Sequence, residues 1–208
     1  AADDEADLDY LIANVPDALE RASDGLDRVS NIVRSLRQLS IPDRVDRTTV
    51  ELSDVLGNVL VAAREEYTKI CDVAGELFEL PRVVGNRSEL RLVFKSLLEN
   101  AARAIDDSGK RGTITVGARL EADHVVLAFA DTGIGIAPEV RHLVFEPFFT
   151  TRAVGQARGQ GLAVSRAVIA KYGGTLSFES QVGVGSTFTI RLPSAATGKV
   201  TVGLGVAA

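Results

Sequence analysis

From about residue 7 to residue 40 the apolar positions Leu8, Leu11/Ile12, Val15, Leu19, Ala22, Leu26, Val29, Val33, Leu36 and Leu39 recur in steps of three and four. That spacing puts them on one narrow stripe of a helix and is sustained for about four heptads, so it predicts a long helix packed against other helices. Pro16 interrupts the stripe early and predicts a kink or a true helix start near that point. An amphipathic helix lying on its own domain is the alternative. The narrowness and length of the seam, at the edge of the chain, favour a helix of a bundle or dimer. Ile41-Pro42-Asp43-Arg44 then ends the helix and acts as a linker.

From Thr48 onward the pattern alternates between strand and helix periods. It predicts a short strand near 48–52, a helix capped by Ser53 and reaching about Tyr67, and strands near 69–74 and 82–85. A helix follows from about Arg87 to Ile105, and the turn Gly109-Lys110-Arg111-Gly112 leads into a hairpin of runs 112–120 and 124–131. A last helix, 161–171, precedes two strands, 175–180 and 186–192, opened by Gly173-Gly174. The expected architecture is an α+β two-layer sandwich, a mixed sheet covered by helices on one face, preceded by the coiled-coil-like helix. Its other face is left for a ligand or for the helical segment. The domain boundaries that follow are 1–45, 46–193 and a small, Gly-rich tail at 194–208.

Composition narrows the function classes. A hydrophobic share of 46% with 25% charged residues is ordinary for a globular chain, and the net charge of −5 argues against nucleic acid and anionic lipid as partners. The one cysteine, Cys71, excludes an internal disulfide framework and sits in an apolar strand-like run, so it reads as a buried, inert thiol. The two histidines, His124 and His142, lie far apart, which makes a His/Cys metal site a poor fit. No apolar run has the length of a membrane span, and a cytoplasmic location without membrane contact is expected of this chain. The absence of methionine, even at position 1, points to a piece of a longer protein.

The chemistry concentrates between Ala128 and Arg152. Asp131 ends a β-patterned run and is followed by Gly133 and Gly135; a Phe-rich segment, Phe145 to Phe149, and a second glycine cluster, Gly155, Gly159 and Gly161, come next. A carboxylate fixed at a strand end accepts a hydrogen bond from an exocyclic amino group, and glycines let backbone approach a flat base or phosphates. Backbone N–H groups at a helix start attract anions. These parts describe a purine-nucleotide pocket, which the open face of the sheet would receive. Thr150 to Gln160, with Arg152 and Arg158, suits a lid closing on phosphates, hinged on the phenylalanines. A turn cap for Asp131 and a floppy surface loop for the lid are the bland alternatives.

On the helix Ser88-to-Ile105, Ser96, Asn100 and Arg103 stand at i, i+4 and i+7, a polar stripe beside the apolar face. An Asn carbonyl oxygen can ligate Mg²⁺ beside substrate phosphates, and an Arg can neutralise phosphate charge. A solvated helix edge is the competing reading.

In this order, Leu97-to-Ile105 (LLENAARAI), DTGIGI from Asp131, FEPFFTTR ending at Arg152, GQGLAVS from Gly159 and the closing GGTLSFESQVGVGSTFTIRLP resemble the catalytic ATP-binding domain of sensor histidine kinases, within the superfamily shared with gyrase, Hsp90 and MutL. The resemblance covers about 48–193 and implies a Bergerat-type fold binding ATP with Mg²⁺. It implies that Asp131 recognises the adenine amino group, that Asn100 holds Mg²⁺ with Ser96 as a second oxygen, and that Gly159 and Gly161 sit at the phosphates. Ile136, Thr151, Gln160, Leu162 and Thr187 join the implied nucleotide contacts. Two departures stand out: Ser96 replaces the usual asparagine, and Ala163 replaces the last glycine of the second glycine box.

The N-terminal helix is similar to the second helix of the dimerisation and phosphotransfer hairpin, which implies a homodimer in the intact protein and a response-regulator receiver domain as partner. The phosphoacceptor histidine belongs to a helix this chain does not contain; neither His124 nor His142 has its context. The expected activity is ATP-dependent phosphorylation of a histidine outside the chain. Two alternatives compete with it: an adaptor whose kinase-like domain has lost ATP binding, and a gyrase- or MutL-like ATPase clamp. The clamp needs a glutamate four residues before Asn100, where Ser96 stands, and Glu99 points to another side of the helix.

Overall fold

The computed structural model describes Val15 and residues 48–75, 80–152 and 159–195. The chain divides into two units, Ala1–Arg44 and Val45–Ala208. The helix expected over residues 7 to 40 and the linker at 41–44 fall in the first unit and, Val15 apart, lie outside the described residues, as does the tail beyond Ala195.

The second unit is organised around helix α2, Arg87–Asp106. Its stripe Leu90, Val93, Phe94, Leu97, Leu98, Ala101 and Ile105 is buried almost completely, because a period of 3.6 keeps those positions on one face. Asn86 caps the start: its side chain accepts hydrogen bonds from the backbone N–H of Ser88 at 2.9 Å and of Glu89 at 3.1 Å. Asn86→Ala is expected to lower stability by about 1 kcal/mol, read by chemical denaturation, since two orphan N–H groups lose their acceptor. Helix α1, Leu52–Glu66, packs beside it through Leu52, Val55, Leu56, Val59, Leu60 and Ala63. The expected cap at Ser53 is corrected. The helix starts with Leu52, buried at 0% exposure, and Glu51 holds the cap position without a side-chain bond. Ser53 sits inside the first turn and its hydroxyl accepts from the Leu80 N–H at 3.3 Å. Helix α3, Gly161–Lys171, is pinned to the start of α2 where Lys171 Nζ, at 3.0 Å, and the Tyr172 hydroxyl both donate to the Glu89 carboxylate.

Strands β1 (Thr48–Val50) and β3 (Val83–Gly85) form a small antiparallel pair. The main sheet has the order β2-β4-β5-β7-β6, with β2 at Cys71–Gly75, β4 at Gly112–Glu121, β5 at His124–Asp131, β6 at Thr175–Gln181 and β7 at Gly185–Pro193. β2 runs parallel to β4 and every other pair is antiparallel, so the sheet is mixed as expected. The register lines side chains up in rows across it. Phe178, Phe188, Phe129 and Val116 form one row, and Ser180, Ser186, Asp131 and Ile114 the next. Phe94 of α2 packs on Phe129 with ring centroids 5.9 Å apart, and Phe178 stacks on Phe188 at 5.6 Å. The helices therefore cover the face that carries these rows. The opposite face carries Thr113, Thr115, Ala128, Ala130, Thr187 and Thr189, as period-two alternation requires.

Cys71 is buried at 2% exposure, and burial pushes its thiol above the ordinary value, which leaves it protonated and inert. Among the described residues no helix is long and apolar enough to cross a membrane.

Candidate functional site

The polar row ends in a cavity of about 680 Å³ between α2, the loop after β5, the start of α3 and the rim of the sheet. It opens on the helix-covered side, which corrects the expectation that the bare sheet face receives the ligand. The side chains that reach it, Asp131, Ser186 and Phe188, lie in the rows that face α2, so α2 and the sheet end form opposite walls. A volume of this size is ordinary for a small-molecule ligand site.

Asp131 is the buried charge of this wall, 8% exposed. Its Oδ1 accepts from the backbone N–H of Gly133 at 2.8 Å and of Ser186 at 3.3 Å. No donor among the described residues reaches Oδ2, so a carboxylate oxygen remains for a ligand in the cavity. Burial pushes this carboxyl above its usual range, and the two backbone bonds pull it part of the way back.

The loop beyond Asp131 is held rigidly from both sides. Ile134 N–H donates to the Ala104 carbonyl of α2 at 3.0 Å, and Gly183 N–H in the β6–β7 turn donates to the Ile134 carbonyl at 2.8 Å. Ile136 N–H donates to Ser180 Oγ at 2.8 Å, and Arg141 Nη2 donates to the Ser180 carbonyl at 2.6 Å. Gly135 has φ +71°, and a Cβ there would come within 2.2 Å of the Gln181 carbonyl oxygen. Only glycine lets this loop lie against the turn. Gly135 and Ile136 line the cavity, whereas Gly133 does not: it abuts Ala104 and serves by donating to Asp131.

On the opposite wall α2 contributes Ser96, Asn100 and Arg103, as the stripe predicts. Glu99, expected on another side of the helix, lines the cavity too, paired with Lys95 at 3.5 Å. Neighbouring positions on a helix differ by about 100°, and this cavity wraps farther round α2 than the stripe alone. Asp107 continues the same stripe at i+4 from Arg103 and reaches the cavity as well; extending the spacing by one step finds it. Asn100 and Ser96, one turn apart, offer neutral oxygen donors, and the described lining residues include no thiol or imidazole. That set fits a hard divalent cation which shares its shell with phosphate and water.

The third wall is the lid root and α3. Thr151, Arg152, Gly159, Gln160, Gly161 and Leu162 all line the cavity. Arg158 and Gly155 lie outside the described residues. Phe148 N–H donates to the Gly159 carbonyl at 2.8 Å, which ties the phenylalanine segment to the residues before α3. The phenylalanines divide their work differently from the expected hinge. Phe145 packs edge-on to Phe178 at 5.7 Å, Phe149 lines the cavity, and Phe148, at φ +68°, is 48% exposed. At the start of α3, a Cβ on Gly161 would come within 2.5 Å of Ser96 Oγ, so the two helices approach closely where the anion-attracting end of α3 meets the stripe.

One expected contact is misplaced by a single residue. Thr187 does not line the cavity; Ser186 and Phe188 do. Thr187 pairs with Ala130 and so faces the open side of the sheet. His124 begins β5 beside Asp123, its Nδ1 2.6 Å from the carboxylate, and His142 lies in a short 3₁₀ helix, Pro138–Leu143.

A buried strand-end carboxylate facing an Asn-bearing helix across a cavity bounded by the start of α3 defines the class. The model of the family described as histidine kinase-, DNA gyrase B- and HSP90-like ATPases matches residues 85–196, and the chain belongs to that family. More narrowly, its described domain is a catalytic domain of the sensor-histidine-kinase type. The sensor histidine kinase ZraS of Salmonella typhimurium is 35% identical over 172 residues, 80% of this chain and 36% of that protein. The C4-dicarboxylate transport sensor protein DctB of Rhizobium meliloti is 33% identical over 181 residues, 85% of this chain and 28% of that protein. The mycobacterial sensor histidine kinase MprB, a solved structure, matches with a TM-score of 0.60 at 29% identity, over 72% of this chain and 98% of that one. The chain spans about a third of the length of the curated relatives it matches.

Proposed function

We propose that this chain is the ATP-binding kinase module of a two-component sensor, and that it delivers the γ-phosphoryl group of ATP to a histidine on another segment. The observation that carries the reading is Asp131. A buried carboxylate with one oxygen saturated by backbone donors and the other free suits an exocyclic amino group and disfavours a carbonyl or a phosphate.

With the base at Asp131, the phosphates extend towards the other end of the stripe. Along that path Arg103 offsets charge, and at its far end Gly159, Gln160 and Gly161 present backbone to the polyphosphate. Thr151 and Leu162 flank that path from the lid root and α3, and Ile136 supports the base. Asn100 and Ser96 would hold Mg²⁺, which when bound neutralises phosphate oxygens. In the transfer, a histidine nitrogen of the acceptor forms a P–N bond to the γ-phosphorus as the P–O bond to ADP breaks. The chain's own contribution is position and charge, and no nucleophile from it is needed. Onward transfer to an aspartate of a response-regulator receiver domain, and homodimerisation through the N-terminal helix, complete the proposal for the intact protein.

Calorimetric titration of the chain with a non-hydrolysable ATP analogue, with and without Mg²⁺, tests this. Binding strengthened by Mg²⁺ is expected, with the Mg²⁺-dependent increment lost in Asn100→Ala. A native chain that binds no analogue under either condition would sink the proposal.

A further inference from the structure

We propose that Asp107 is a positioning residue for Arg152: it parks the guanidinium at the C-terminal end of α2 and surrenders it when a polyphosphate arrives. The inference rests on the nucleotide reading above. Arg152 stands at the root of the lid, and its Nη2 donates both to the Asp107 carboxylate and to the Arg103 carbonyl, the latter at 3.2 Å. The guanidinium is thus clamped against the C-terminal end of α2. The phosphate end lies elsewhere. Gly161, at the start of α3, approaches Ser96, eleven positions back along α2 from Asp107. At 1.5 Å per residue that separation is about 16 Å along the helix.

A second observation makes the carboxylate at position 107 conspicuous. Asp107 is the C-cap of α2, where the helix dipole presents its negative end and a negative side chain is disfavoured. Arg152 is its ion-pair partner there, and both residues line the cavity. Their side chains are 27% and 40% exposed, for Arg152 and Asp107 respectively. A pair in that range is weak enough to exchange for a triphosphate, which offers the guanidinium more charge and bidentate oxygens. Asp107 therefore sets what a ligand must offer to draw the Arg152 guanidinium away: adenosine lacks it and ATP has it.

A calorimetric double-mutant cycle tests this, using the native chain, Asp107→Asn, Arg152→Gln and the double variant. Each is titrated with a non-hydrolysable ATP analogue and with adenosine. Asp107→Asn is expected to tighten analogue binding about three- to five-fold, the range of a half-exposed ion pair, and to leave adenosine binding unchanged. The gain should vanish in the Arg152→Gln background, and Asp107→Glu, which keeps the pair, should stay near the native affinity. The same gain without Arg152 would mean plain charge repulsion and would overturn the proposal. Weaker adenosine binding by Asp107→Asn would overturn it in favour of a direct sugar contact. A lower melting temperature with unchanged analogue affinity would make the pair structural only. A native chain that binds neither ligand removes the nucleotide reading itself, whereas native binding with a silent Asp107→Asn removes only the parked arginine.

Discussion

Asp131→Asn is expected to weaken ATP binding by about 10- to 100-fold, the cost of losing a hydrogen bond to a charged acceptor. The domain should be no less stable, and at neutral pH more so. The two effects part because the carboxyl has two jobs on two oxygens. Oδ1 takes the N–H groups of Gly133 and Ser186, and an asparagine amide oxygen in the same place accepts both. Oδ2 is the oxygen left for the base; replaced by an NH₂ group, it meets the exocyclic amino group donor to donor. The stability gain follows from burial, which raises this carboxyl above its unfolded value. In the window between the two values the folded state binds more protons than the unfolded one, so stability falls as pH rises through it. Above the window the full penalty of a buried charge applies, and asparagine removes it. In acid, where both forms are neutral, the melting temperatures should converge. Nucleotide affinity runs the other way: it should fall as pH drops through the raised value, because protonation makes Oδ2 an O–H donor that meets the amino group donor to donor. Melting curves and titrations of both proteins across pH check this. A native chain that melts lower than its asparagine variant in acid as well as at neutrality would contradict the burial argument.

The same residue shows how much of the site the chain discloses before it folds. Asp131 and the glycines after it are legible because a strand that ends in a carboxylate and turns at once is a local pattern. The stripe on α2 is equally legible, since Ser96, Asn100 and Arg103 need only the helical period to share a face, and the hairpin of β4 and β5 needs only alternation. The illegible features are those set by neighbours in space. Whether Ser186 or Thr187 lines the cavity depends on the pairing of β7 with β5, and a shift of one residue reverses every side chain. The placing of the cavity on the helix side depends on which row meets Phe94. Strands β1 and β3 are three residues each, too short for alternation to reveal their separate pairing. Arg152 reads as a phosphate ligand from its place in the lid, but its contact with Asp107 joins residues 45 positions apart and has no local signal.

Gly185 is a spatial constraint of this kind, and its replacement is expected to have the largest effect on the fold of any glycine in the β6–β7 turn. With φ at +138° it occupies backbone space that side chains rarely adopt, and a Cβ would stand 1.9 Å from the Asp131 carbonyl oxygen. That neighbour is backbone in the middle of the sheet, so it cannot swing aside. Gly183, two residues earlier, is a natural control, since it also has a positive φ, +75°, but nothing lies within 4 Å of its added Cβ. Gly183→Ala carries the conformational cost alone, about 1 kcal/mol. Gly185→Ala adds the clash to the strain and should lose about 3 kcal/mol or more, which lowers the melting temperature by about 6–12 °C for a unit of this size. Relief of the clash requires β7 to move off β5 at the Asp131–Ser186 pair, the point where Ser186 N–H donates to the carboxylate. The variant should therefore bind ATP more weakly even at temperatures where it is fully folded, while Gly183→Ala keeps its affinity. Denaturation and titration of the two variants side by side decide it: equal melting temperatures would mean that the sheet yields at Asp131, and that the strand end holding the carboxylate is softer than its hydrogen bonds imply.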